Sequence, residues 1–105
     1  MRYAAKVDAN QSLIVETLRL AGYTVCSMHA VGGGFPDLIV SKRGTNNMWL
    51  LEVKTAKGRL TKREREWIDA WGAPVHIVRS PEEALEAVGA AVYVTGSSVY
   101  VTGRK

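Results

Sequence analysis

Cysteine is almost absent: Cys26 stands alone in a chain of 105 residues. That excludes an intramolecular disulfide and a thiolate zinc site, and it fits a reducing compartment, the cytoplasm. No apolar run approaches the roughly 18 to 20 residues that a membrane span requires. The first residues lack the apolar stretch of a secretory signal. The expectation is a cytoplasmic protein with no membrane association and no small-molecule cofactor. Low-complexity tracts are missing too, and at this length the chain forms one domain with a modest core.

What the chain does have is positive charge. Its formal net charge is +4 and its pI is near 9.5, which favours an acidic partner such as nucleic acid. The distribution says more than the total. Between Lys54 and Arg65 lie six basic residues (Lys54, Lys57, Arg59, Lys62, Arg63, Arg65) against one acid, Glu64. Such a run is either a solvated face or a surface for a polyanion.

Hydrophobic spacing predicts a first helix over about residues 9–21, with Ile14, Val15 and Leu18 on its inner face, Gly22 as its stop, and Asp8 or Asn10 as its cap. Tyr23 to His29 reads as a strand, in which Cys26 is a small core hydrophobe. Gly32-Gly33-Gly34 is a loop, and Asp37 to Ser41 a second strand. The turn residues Arg43 to Asn47 lead into a third strand, Met48 to Lys54. Thr61 and Glu64, in capping-box spacing, open a helix that runs to Trp71, where Gly72 and Pro74 end it. Leu60, Glu64, Trp67, Ile68 and Trp71 fall on its inward stripe, which makes both tryptophans core residues. A short strand, Val75 to Val78, and a helix opened by Ser80-Pro81-Glu82-Glu83 and reaching about Val88 follow. The tail repeats VYVTG at 92–96 and 99–103, a hairpin that either extends the sheet or pairs with a second subunit. The order gives an α/β fold, a mixed β-sheet flanked by helices with a C-terminal β-hairpin.

The third strand concentrates the chemistry. Side chains alternate along a strand, so Glu52 and Lys54 share a face. A hairpin running from Asp37 through Asn47 brings Asp37 beside Glu52. Two carboxylates and an ammonium then meet at one end of a sheet. Paired carboxylates of this kind hold a hard divalent ion such as Mg²⁺, which lowers the pKa of a bound water. A lysine beside them stabilises charge on a phosphate oxygen.

Pro36-Asp37 followed by Glu52-Val53-Lys54 resembles the PD-(D/E)xK nuclease signature. The wider context, "GGGFPDLIV" and "WLLEVKTAKGRLT", is similar to the virus-type replication-repair nuclease (VRR-NUC) domain. The opening "VDANQSLIVETLRLAGYTV" is similar to its small standalone phage and prophage members. The resemblance runs from about Val7 to Val88, within a unit of residues 1–90 that residues 91–105 extend. It implies a restriction-endonuclease-like core and an Mg²⁺- or Mn²⁺-dependent endonuclease that cuts DNA, branched DNA and four-way junctions included, as a homodimer. Asp37 and Glu52 match the metal-binding acids, the Val53 carbonyl a further ligand, and Lys54 the catalytic lysine. Many members carry glutamate on the first helix where Gln11 falls, and glutamine on the next helix where Glu64 falls. If Gln11 and Glu64 both reach the site, the number of acids is kept and their positions are exchanged.

Lys57, Arg59, Lys62 and Arg63 follow the catalytic strand directly and are the expected DNA contacts. Gly33 and Gly34 either allow a phosphate close to the backbone or form a plain loop. No helix carries an evident set of base-reading residues, so recognition is expected to follow DNA structure rather than sequence. Trp49 reads as core or interface, His29 and His76 as structural strand residues. The same basic segment would also serve a non-catalytic nucleic-acid-binding module or a nuclease of linear duplex, and cleavage assays separate the three.

Overall fold

The computed structural model describes the backbone of residues 2–95 and 98–102 and the side chains of residues 9–90. Helix α1 (Arg2–Leu20) leads into strand β1 (Tyr23–Ser27), followed by β2 (Leu38–Lys42) and β3 (Met48–Val53). Helix α2 (Lys62–Trp71), strand β4 (His76–Val78), helix α3 (Pro81–Ala87) and strands β5 (Ala91–Thr95) and β6 (Ser98–Thr102) complete the chain. The order of elements is the expected one. Helix α1 starts earlier than the spacing predicts, because Ala4, Ala5 and Lys6 are good helix formers with no breaker among them. Asp8 and Asn10 therefore lie inside the helix and do not cap it.

The main sheet runs β1-β2-β3-β4. Its first two pairings are antiparallel, and β3 and β4 are parallel. A parallel pair needs a crossover, and α2 provides it. Period-two alternation decides what each sheet face meets. Leu38, Val40, Leu51 and Val53 turn to one side and form the core with Ile14 and Leu18 of α1 and Leu85 of α3. Ile39, Leu50 and Glu52 turn to the other side, where α2 crosses. Cys26 is exposed, contrary to its reading as a core residue. Tyr23 and Val25 take the inward positions of β1, and alternation sends Cys26 outward.

Helix α2 carries the expected capping box. Thr61 Oγ1 accepts from the Glu64 backbone N–H, and Glu64 accepts from the Thr61 N–H. Gly72, at φ 73°, ends the helix in the left-handed region. No α2 residue is buried, so Trp67 and Trp71 are not core. They stack on each other with ring centroids 5.0 Å apart, and Phe35 meets Trp67 edge-on. Trp49 packs against the core and meets Tyr23 edge-on. Strands β5 and β6 form a separate two-stranded sheet, in register Tyr93↔Tyr100, and do not extend the main one. The turn residues 96–97 lie outside the described residues.

Candidate active site

Asp37 ends the chain's approach to β2. Pro36 before it is fully buried, and the Met28 N–H donates to the Asp37 carbonyl at 2.8 Å. These contacts fix the backbone, while the Leu38↔Leu51 register sets Asp37 opposite Glu52 on the α2 face. Asp37 Oδ2 accepts the Val53 N–H at 2.8 Å. That charge-assisted bond caps the last residue of β3 and offsets part of the cost of burying the acid.

Glu52 is 2% exposed, the only charged residue in the buried set among the described residues. Lys54 Nζ lies 3.3 Å from Glu52 Oε2 and 2.7 Å from Glu64 Oε1. The same Glu64 oxygen accepts the Thr61 N–H at 2.8 Å. Glu64 thus caps its helix and holds the lysine at once; the two readings of that residue are not alternatives. Gln11 arrives from α1, placed by its neighbour Asn10, whose Nδ2 donates to the Lys54 carbonyl at 2.9 Å.

All these groups line one cavity of about 250 Å³: Gln11, Asp37, Glu52, Val53, Lys54 and Glu64, with His29, Thr55, Arg59 and Thr61. A larger hollow of about 640 Å³ beside α1 and an apolar one of about 490 Å³ under Trp71 bring together no comparable set of titratable groups. His29 sits beyond the end of β1, not within a strand as expected, and is exposed at the cavity. The place of Asn10 escaped the sequence reading because it depends on contacts far along the chain. Asn10 meets Lys54 and Arg79 across 44 and 69 positions.

The family model of the VRR-NUC domain matches residues 4–74. The chain belongs to the VRR-NUC family. A solved structure described as a VRR_NUC domain is 26% identical, with a TM-score of 0.57, and the alignment covers 79% of this chain and 94% of that one. A search of curated proteins gave no match. VRR-NUC is a nuclease domain family, and the matched span includes every predicted site residue.

The ionisable groups of the VRR-NUC site shift one another strongly. Burial pushes the Glu52 carboxyl up to about 8, and the neighbouring Asp37 and Glu64 carboxyls push in the same direction. Burial also raises Asp37, against the Val53 N–H that lowers it. Lys54 is partly desolvated, which disfavours its charge, yet its bond to Glu64 and the charge of Glu52 hold it above the usual lysine value. Glu64 falls below its ordinary value; burial opposes this, and the Lys54 and Thr61 hydrogen bonds outweigh it. Lys54 is therefore a donor here, not a base.

Among the described residues no three acidic, histidine or cysteine side chains form a closed metal cage. The acids are instead an adjacent pair, Asp37 and Glu52, the second raised by burial and then by like charge, with Val53 lining the same cavity. That set fits a hard divalent ion that keeps several waters.

Of the expected DNA contacts, Arg59 lines this cavity, and with Lys57 it also lines the adjoining hollow. Lys62 and Arg63 are exposed on the first turn of α2, outside both, and Lys62 pairs with Glu66 at 3.9 Å. Gly33 faces open space. A Cβ at Gly34 would lie 2.7 Å from the Arg63 carbonyl oxygen, so its missing side chain lets the loop pack against α2.

Proposed function

We propose that this VRR-NUC domain is a Mg²⁺- or Mn²⁺-dependent endonuclease that hydrolyses DNA phosphodiester bonds, preferring branched DNA such as four-way junctions, and that it works as a cytoplasmic homodimer. One observation carries the reading: Asp37 at the start of β2, and Glu52 and Lys54 at the end of β3, meet with Gln11, Glu64 and Arg59 in a single cavity.

A divalent ion held by Asp37, Glu52 and the Val53 carbonyl would acidify a bound water and polarise a phosphoryl oxygen. The chain's own groups do the rest. Glu64 and Glu52 aim the Lys54 ammonium into the cavity, where it neutralises charge developing on the phosphate oxygens. Gln11 offers an uncharged amide to the same space, and Arg59 binds a phosphate at the rim. Water adds at phosphorus, the bond to the leaving sugar oxygen breaks, and a phosphomonoester and a free hydroxyl result.

The cations beside the site are suited to phosphates rather than base edges, which supports recognition of DNA shape over sequence. The homodimer reading is supported by an apolar cavity of about 490 Å³ under Trp71, lined also by Phe35, Ile39, Met48 and Leu50. Met48 is 60% and Trp71 50% exposed there, and a second copy would cover them.

The test is a panel of labelled four-way, flapped and linear duplex DNA incubated with Mg²⁺, Mn²⁺ or EDTA. Preferential metal-dependent cutting of branched DNA is expected, with activity abolished by Asp37→Ala and by Glu52→Ala. Cutting that persists undiminished in either variant, or that needs no metal, overturns the reading.

A further inference from the structure

The active-site cavity adjoins a second hollow of about 660 Å³, and Arg59 lines both. The second hollow is lined by four cations, Lys57, Arg59, Arg65 and Arg79, and by no acid. Three separate parts of the chain supply them: the loop after β3 gives Lys57 and Arg59, α2 gives Arg65, and the residue after β4 is Arg79. Along the sequence only the first three look like a cluster. Arg79 stands apart and joins them because β4 pairs in parallel with β3, setting Val78 beside Val53.

None of the four is in an ion pair with another described residue. The ion pairs among the described residues join Lys54 to Glu52 and Glu64, and Lys62 to Glu66. Glu83 lies near Arg79 but accepts its backbone N–H, at 2.8 Å. The Arg79 guanidinium donates from Nη2 to the Gly58 carbonyl at 3.0 Å. That single bond ties the side chain to the loop and leaves most of its five donors uncommitted. Like charges gathered without counter-charge repel one another, and an anionic chain lying among them removes that repulsion.

We propose that this hollow seats the DNA strand flanking the scissile phosphate, with Arg65 and Arg79 binding its backbone phosphates. The proposal rests on the nuclease reading for its ligand and adds to it a path for the strand. Arg59 joins the two hollows, so a strand leaving the cavity past Arg59 meets Lys57, Arg65 and Arg79 next. Lys62 and Arg63, nearer in sequence to the catalytic strand, lie outside this path.

The test measures DNA binding by fluorescence anisotropy, in EDTA to prevent cutting, over a series of salt concentrations. Wild type is compared with Arg65→Ala, Arg79→Ala, the double variant, and Arg43→Ala in the exposed β2–β3 turn as a control. Each single variant frees one phosphate and should reduce the slope of log K against log[salt] by about 1, and the double variant by about 2. Cleavage by the same variants should show a raised KM with kcat largely kept. Because Arg79 also ties the loop, thermal melts accompany every variant; if Arg79→Ala unfolds, Arg65→Ala and Lys57→Ala decide the matter.

Wild-type slopes in the Arg65→Ala and double variants overturn the proposal while leaving the nuclease reading intact. Reduced slopes in a protein that never cuts DNA leave the groove standing and remove the nuclease reading. A wild type that does not bind DNA removes both.

Discussion

At Glu52, burial and two neighbouring carboxyls act in the same direction, so the metal-free folded chain keeps a proton that the unfolded chain releases near pH 4.5. The folded value, about 8, lies above the unfolded one. This contribution to stability is therefore complete below pH 4.5 and is lost as the pH rises through 8. In EDTA, thermal melts should show stability falling across that window. Glu52→Gln should flatten the fall, leaving the variant more stable than wild type at pH 8 by on the order of a few kcal/mol, at about 1.4 kcal/mol per pKa unit. Glu64, lowered in the folded state, has the opposite pH dependence: its contribution is complete above its ordinary value and is lost as the pH falls through the folded one. Added Mg²⁺ should restore wild-type stability at pH 8 and leave Glu52→Gln unmoved. A wild-type melt that is flat from pH 5 to 8.5 would refute the shared-charge account. Lys54→Met removes the cation proposed to face the phosphate and should lower kcat by roughly 10² to 10³, read from initial rates at saturating DNA.

Among the elements, α2 has the weakest hold on the fold and yet carries a site residue. It buries no side chain completely and is held by the Lys54–Glu64 ion pair, the Phe35–Trp67 ring contact and the loop that meets its first turn. Gly34 is where that loop makes contact. Its φ is 91°, and a Cβ there would meet Arg63 backbone at 2.7 Å. Gly34→Ala should therefore cost more than the roughly 1–2 kcal/mol of a left-handed alanine, and should reduce cleavage by moving Glu64 away from Lys54. Gly33→Ala, at φ 68° in open space, should cost only the conformational part and keep activity. Urea melts paired with cleavage rates check both, and equal effects for the two variants would contradict this view of the loop. The limits of these elements were largely legible beforehand, since Thr61, Gly72, Ser80 and Pro81 stop and start helices by local chemistry. The start of α1 was not legible from apolar spacing, because the inner-face residues that define it begin at Ile14 and say nothing of the helix formers Ala4, Ala5 and Lys6 ahead of them.

For the molecule as a whole, one sheet face is covered by α1 and α3, and the other only in part by α2. Met48 and Trp71 remain open beside an apolar cavity. If a second copy completes that face, Met48→Glu combined with Trp71→Glu should convert a dimer to a monomer in light scattering, with melts confirming that the variant folds. A wild-type chain that is monomeric at micromolar concentration would remove the dimer. No described helix is long and apolar enough to cross a membrane.

The sequence by itself determined the elements and the meeting of Asp37 with Glu52. Turn residues, alternation and the PD and ExK spacing are local, and a hairpin leaves little choice of register. Tertiary structure decided the rest. It drew Gln11 and His29 into the cavity, and it turned Glu64 into both cap and lysine partner. It left Trp67 and Trp71 outside the core and set Arg79 beside Arg65 across a parallel crossover. Such placements depend on which distant segments pack together, and periodicity shows only that a face turns inward, not what it meets there.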